Sequence, residues 1–195
     1  MSHASLAARY RPQTFAEVTG QETVKAILSR AAAEDKVAPA YLLSGTRGVG
    51  KTTIARIFAK ALNCVHAPTG EPCNQCEQCR RITMGNHVDV VEIDGASNRG
   101  IDDARRLREA IAYAPMDGRY KVFIIDEAPM LTRESLHALL KTMEEPPPRA
   151  TIITATTAAH QIPNPSVGPC PPFNSTPLPQ QELVDPTQRV LSKTV

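Results

Sequence analysis

The sequence predicts an α/β domain in three layers, a parallel sheet with helices packed on both faces. Short apolar runs of strand length alternate with helical patterns through about the first 155 residues. A glycine-rich loop follows the first of those runs, and an acidic pair closes the third. Sheets of this kind bind ligands at the carboxyl ends of their strands, where both features fall.

Gln21 to Glu34 sets Val24, Ile27, Leu28, Ala31 and Ala32 at helical spacing, so one face is apolar. Ala40-Tyr41-Leu42-Leu43, between Pro39 and Ser44-Gly45, reads as a strand ending in a turn. Lys51 to Asn63 continues as a helix through Ile54, Ile57, Phe58, Ala61 and Leu62. Val88 to Ile93 is rich in β-branched residues and predicts a second strand, and Ile101 to Ala112 is an amphipathic helix. Tyr120 to Ile125 is a third strand, running into Asp126-Glu127. Thr132 to Met143 is helical and is stopped by Pro146-Pro147-Pro148. Thr151 to Thr154 makes the fourth strand. Eleven of the 17 prolines lie from Pro146 onward, and eight fall between Pro163 and Pro186, which predicts loop there instead of helix or regular strand.

A length of 195 residues suits one domain, or one and a small part of another. An apolar share of 42% excludes wholesale disorder. No apolar run approaches the roughly 20 residues that span a bilayer, and Met1 to Arg11 lacks the apolar region of a secretory signal. A cytoplasmic protein, not a membrane protein, is the expectation. With 22 basic against 20 acidic residues, the net charge of +2 gives no argument for nucleic acid by itself.

Gly45-Thr46-Arg47-Gly48-Val49-Gly50-Lys51-Thr52 matches G-x-x-x-x-G-K-[ST], with a strand before it and a helix after. The glycines let successive N–H groups turn inward at the positive end of a helix, which suits phosphate. Lys51 supplies a charge for the β- and γ-phosphates, and the Thr52 hydroxyl is placed to help hold Mg²⁺. A glycine turn that merely contains a lysine is the alternative, and its flanking strand and helix weigh against it. Asp126 suits the magnesium shell, and Glu127 suits orienting or deprotonating water. By itself such a pair would read as a solvated strand end; about 75 residues after a phosphate loop it reads as chemistry.

Cys64, Cys73, Cys76 and Cys79 are spaced C-x8-C-x2-C-x2-C, a pattern that suits tetrahedral Zn²⁺. The insert from Cys64 to about Arg81 is too polar to fold by itself, and a metal would supply the cross-link. Four thiolates close the coordination, which predicts a structural metal. An iron–sulfur cluster on the same thiolates stays open, and so does His66 in place of Cys64; a cytoplasmic setting argues against disulfides. Cys170 is isolated and reads as inert. Arg9, Arg11 and Arg47 face either a nucleotide, a partner or solvent. Arg105-Arg106-Leu107-Arg108 is a basic run on a helix, Asp102-Asp103 favours that helix's dipole, and Glu144-Glu145 is a helix-end pair without chemistry.

These residues resemble a known family. Ala8-Arg9-Tyr10-Arg11-Pro12-Gln13-Thr14-Phe15, the phosphate loop, the four-cysteine insert, Glu92 to Ser97, Tyr113-Ala114-Pro115 and Leu139 to Pro147 look like the bacterial DNA polymerase III gamma/tau subunits, the ATPases of the sliding-clamp loader. The resemblance covers about residues 6 to 163, and the zinc insert sets it apart from most other AAA+ ATPases. It implies an AAA+ P-loop NTPase domain over residues 1–165, with residues 166–195 a proline-rich tail, the diverged or truncated start of a lid region. It further implies ATP, Mg²⁺ and Zn²⁺, with Gly45 to Thr53 and Arg11 at the nucleotide. Within that stretch Gly45, Thr46, Arg47, Gly48, Val49, Gly50, Lys51, Thr52 and Thr53 are the expected contacts. Lys51, Asp126 and Glu127 would be catalytic, and Thr156 or Thr157, in the intact Ala155-Thr156-Thr157 run, would sense the γ-phosphate. Expected partners are delta, delta-prime and further gamma/tau copies in a ring, the sliding clamp and primer–template DNA.

Two positions depart from the family pattern. Its acidic strand continues Asp-Glu-x-His-Met-Leu, whereas here Ala128-Pro129-Met130-Leu131 follows Glu127; Pro129 removes a backbone donor and is expected to hold Ala128 extended. Where the family carries Ser-Arg-Cys, whose arginine reaches a neighbour's ATP, this chain has Gly168-Pro169-Cys170. Such an arginine is worth on the order of 10³-fold in turnover. The alternative function is therefore a subunit of the same kind of ring that binds nucleotide but hydrolyses it poorly.

Overall fold

The computed structural model describes residues 10–97, 109–110, 113–132, 147–158 and 172–174. Helices α1 (Glu22–Ala33), α2 (Lys51–Asn63) and α3 (Glu77–Met84) accompany strands β1 (Ala40–Ser44), β2 (Val90–Asp94), β3 (Lys121–Asp126), β4 (Ala150–Thr156) and β5 (Pro172–Asn174). The five strands form one sheet in the order β2-β3-β4-β1-β5, and every pairing is parallel.

Parallel sheets are covered on both faces, so their inner strands read as unbroken apolar runs. Strand β3 shows this: Lys121 to Ile125 are all buried. Alternate side chains serve opposite layers. Val122 and Ile124 join Leu28, Leu43, Ile54, Phe58 and Leu62 in the larger core, beneath α1 and α2. Phe123 and Ile125 join Ile152, Ala128 and Leu131 on the other face. Tyr41 and Phe58 meet edge to face at 5.2 Å, which ties β1 to α2. The register sets Ser44 beside Thr156, Asp126 beside Ala155 and Asp94 beside Asp126, so four strand ends line one edge of the sheet.

Two expectations are corrected, and one helix is additional to those expected. Helix α3 begins within the cysteine insert and runs past Arg81; Cys79 and Ile82 are its buried residues and Gly85, at φ 73, ends it. Strand β5 falls in the proline-rich tail, which was expected to form loop. It is three residues long, sits at the edge and begins with Pro172, a place where a missing N–H is tolerated. Ala128, expected to be extended before Pro129, opens a 3₁₀ turn over Ala128–Met130, with Pro129 in the first positions, where no backbone donor is required. No helix among the described residues is long and apolar enough to cross a membrane. The helix expected over 132–143 lies outside the described residues apart from Thr132, as does most of that over 101–112. Arg9, Asp102-Asp103, the basic run at 105–108, Glu144-Glu145 and Gly168-Pro169-Cys170 also lie outside them.

Candidate nucleotide site and cysteine cluster

The loop from Gly45 to Gly50 carries the chain from the end of β1 into the first turn of α2. Gly48 and Gly50 take φ of 88° and 90°, a region closed to most side chains, and Gly50 is the residue from which α2 starts. The first turn of α2 has no acidic side chain, which leaves its positive end to an anion. Lys51 is only 6% exposed, and its ammonium donates to the carbonyls of Gly45 and Thr46 at 2.8 and 2.9 Å. Thr46, Arg47 and Gly48 are exposed at the mouth of the loop.

The Thr52 hydroxyl donates to Asp126 Oδ2 at 2.9 Å. Two hard oxygen donors at that spacing fit Mg²⁺, whose neighbouring octahedral ligands at about 2.1 Å lie about 3 Å apart. Glu127 sits in the left-handed region at φ 52, and its amide donates to Ala155 O at 2.7 Å. A non-glycine residue there costs roughly 1–2 kcal/mol, so the surrounding contacts must hold it. Its Oε2 accepts from the Thr157 hydroxyl at 3.2 Å and amide at 3.3 Å, and from the Thr156 hydroxyl at 3.5 Å. Gly95 makes this turn possible, since a Cβ added there would meet Glu127 O at 2.4 Å.

Arg11 and Thr53 come together across a pocket of about 140 Å³, lined also by Pro12, Gln13, Arg56 and Lys60. Arg56 is bidentate on Glu92, at 2.6 Å for both bonds. Burial lowers the Arg11 pKa, Arg56 lowers it further, and Glu92 opposes them. An anion in the pocket would relieve the crowding of these two cations.

The four predicted thiolates also converge. The Sγ atoms of Cys64, Cys73, Cys76 and Cys79 all lie within 4.8 Å of one another. A tetrahedral Zn²⁺ with bonds of about 2.3 Å spaces its sulfurs about 3.8 Å apart, so a small inward movement completes the fit. Cys64 caps α2 and Cys76 caps α3, so two helix ends are joined at the cluster. The Cys76 and Cys79 amides donate to the sulfurs of Cys73 and Cys76, each at 3.4 Å. Burial pushes Cys73 up, but N–H donors from Gln75 and Cys76 and the neighbouring thiols outweigh it and hold Cys73 down at about 6. Burial pushes Cys64 and Cys79 up. A metal bound here would displace the protons that burial leaves on Cys64 and Cys79. His66 is exposed and is not part of the cluster.

Sequence reasoning missed the residues that join insert and pocket, which are Gln13, Lys60, Glu71 and Asn74. The repeat Cys76, Cys79, Ile82 before Gly85 could have revealed α3. No periodic signal marks the four polar residues, because their partners are distant in sequence.

A parallel sheet with a glycine-rich loop after an inner strand and an acidic pair two strands away gives the chain the fold of the P-loop NTPases, of the AAA+ type. A solved Thermotoga maritima RuvB variant has the same fold, with a TM-score of 0.67 at 21% identity over 95% of this chain and 56% of that one. Within that class the chain belongs to the family described as DNA polymerase III, delta subunit, whose model matches residues 20–166. It is 44% identical to the DNA polymerase III subunit tau/gamma of Haemophilus influenzae over 99% of its own length and 28% of that protein's. It is 46% identical to subunit tau of Bacillus subtilis over 98% of this chain and 34% of the relative. The chain thus spans about a third of the length of these relatives.

Proposed function

We infer that this chain is an ATP-binding and ATP-hydrolysing subunit of a bacterial DNA polymerase III clamp loader, which loads the sliding clamp onto primed DNA in the cytoplasm. The observation that carries the reading is the bond from Thr52 to Asp126, which brings the phosphate loop against the acidic strand end. The loop amides and the open end of α2 bind the β- and γ-phosphates. Lys51 exchanges its two carbonyl partners for phosphate oxygens. Thr52 and Asp126 would hold magnesium, which supplies charge neutralisation to the triphosphate. Glu127 takes a proton from the attacking water once it leaves the Thr157 hydroxyl, which is then free for the γ-phosphate. The four cysteines would hold zinc as a closed structural cross-link.

The relatives' names, tau and gamma subunits of DNA polymerase III, support other replication subunits as partners. The proposal that these are delta, delta-prime and further gamma/tau copies in a ring, with the clamp and primer–template DNA, rests on the resemblance of the motifs. A second reading, a ring subunit that binds nucleotide but hydrolyses it poorly, is favoured by Pro169 where the family has arginine. Steady-state ATPase of the chain, alone and with ring partners and DNA, separates them. Stimulated turnover supports the first reading, and binding without turnover supports the second. A chain that binds no adenine nucleotide overturns both.

A further inference from the structure

Three segments distant in sequence meet at the buried ammonium of Lys60. It is 2% exposed and donates to Gln13 O at 2.9 Å, Gln13 Oε1 at 2.7 Å and Asn74 Oδ1 at 2.7 Å. Asn74 also donates to Gln13 O at 3.2 Å. Glu71, two residues before Cys73, receives the amides of Phe15 at 2.9 Å and Ala16 at 3.0 Å on its two oxygens. The cysteine insert therefore grips residues 13–16 from one side while α2 holds Gln13 from the other.

The stripe of α2 that faces this segment is Thr53, Arg56, Ile57 and Lys60, spaced three and four residues apart on one helix face. It begins one residue beyond Thr52. Arg11, Pro12 and Gln13 thus form the far wall of the pocket that opens beside the phosphate loop. Glu71 and Asn74 flank Pro72-Cys73, and Asn74 takes a left-handed φ of 58°, so both depend on where Cys73 is held in the four-sulfur cluster.

We propose that the four-cysteine insert is a metal-loaded clamp on Arg11–Ala16, and that loading its thiolates tightens the nucleotide site through Glu71, Asn74 and Lys60. The inference rests on the nucleotide reading above, since it takes the pocket beside Thr53 as the continuation of the phosphate site toward the nucleoside. Glu71, Asn74 and Lys60 act as positioning residues. Coupling of this kind is reciprocal, so bound nucleotide also tightens metal.

The test compares the zinc-loaded 195-residue chain with Glu71→Ala, Asn74→Ala and the milder Glu71→Gln. Its readouts are zinc per chain, affinity for ADP and for inorganic tripolyphosphate, and hydrogen exchange at the Phe15 and Ala16 amides. Glu71→Ala should keep its zinc, lose about five- to tenfold in ADP affinity and hold tripolyphosphate within twofold, because the pocket walled by Arg11, Pro12 and Gln13 takes in Thr53 and no residue of Gly45 to Thr52. Glu71→Gln, which keeps one acceptor, should fall between the two. Removing zinc from the unmodified chain should speed exchange at Phe15 and Ala16. Unchanged ADP affinity in zinc-loaded Glu71→Ala, equal losses for both ligands, or exchange indifferent to zinc would each overturn the clamp alone. An unmodified chain that binds neither ligand would overturn the nucleotide reading and the clamp together.

Discussion

Thr52 and Asp126 stand 74 positions apart and share a hydrogen bond of 2.9 Å. One lies in the first turn of α2, the other at the last position of β3, and only the sheet brings them together. Neither side chain has chemistry by itself; at this distance they would offer a pair of hard oxygen ligands between the glycine-rich loop and Glu127.

Lys51→Ala should weaken nucleotide binding strongly and leave the metal content of the insert intact. The substitution removes the charge that would pair with phosphate, and charge-assisted bonds of about 1.5–3 kcal/mol predict a loss on the order of 100-fold. Equilibrium titration with a fluorescent ADP, beside a metal assay on the same sample, checks both halves.

Glu127→Gln keeps the shape and one acceptor for Thr157 but removes the base. ATP affinity should stay within about twofold while hydrolysis falls about 10²- to 10⁴-fold. Single-turnover hydrolysis in the presence of ring partners measures the second quantity, and binding under the same conditions measures the first.

Gly95→Ala tests the backbone contact behind the acidic pair. The new methyl would lie 2.4 Å from Glu127 O and 3.1 Å from Asp126 O, and backbone atoms cannot swing aside. A loss of about 1–3 kcal/mol is expected, seen as a lower urea midpoint at unchanged slope. Hydrolysis should fall more than ADP binding, because the displaced residue is Glu127 and not the phosphate loop.

Asp89 predicts the behaviour in acid. It is fully buried, and its carboxylate accepts the amides of Met116 at 2.9 and 3.0 Å, Asp117 at 2.7 Å and Gly118 at 2.7 Å. Burial raises its pKa, but these three donors, with His87, outweigh burial and leave it below the ordinary value. The stabilisation is therefore fully present above the unfolded pKa of about 3.9 and is lost as pH falls through the lower folded value. Asp89→Asn should cost about 2 kcal/mol at pH 7 and flatten the decline in stability below about pH 4. Urea unfolding at a series of pH values gives both numbers.

The elements were legible in the sequence wherever the signal was local. Apolar periodicity marked α1, α2 and the four longer strands, and the glycine-rich loop between β1 and α2 stood out because its whole pattern lies within eight positions. The cysteine spacing marked a cluster whose four sulfurs do converge. Short or proline-rich pieces gave weaker signals. Strand β5 has three residues and Pro172, and what makes it a strand is the exposed edge of β1, which its own sequence does not contain.

By itself the chain determined its layers, its glycine-rich loop between β1 and α2 and its set of four cysteines, because helix period, strand period and residue spacing are properties of neighbouring residues. Tertiary structure alone decided that Glu71 would hold the amides of Phe15 and Ala16, that Lys60 would bind Gln13 and Asn74, and that Gly95 would lie under Glu127. Those contacts join polar groups across tens of residues. A hydrogen bond selects a partner by position in space, and packing of the core is what sets that position.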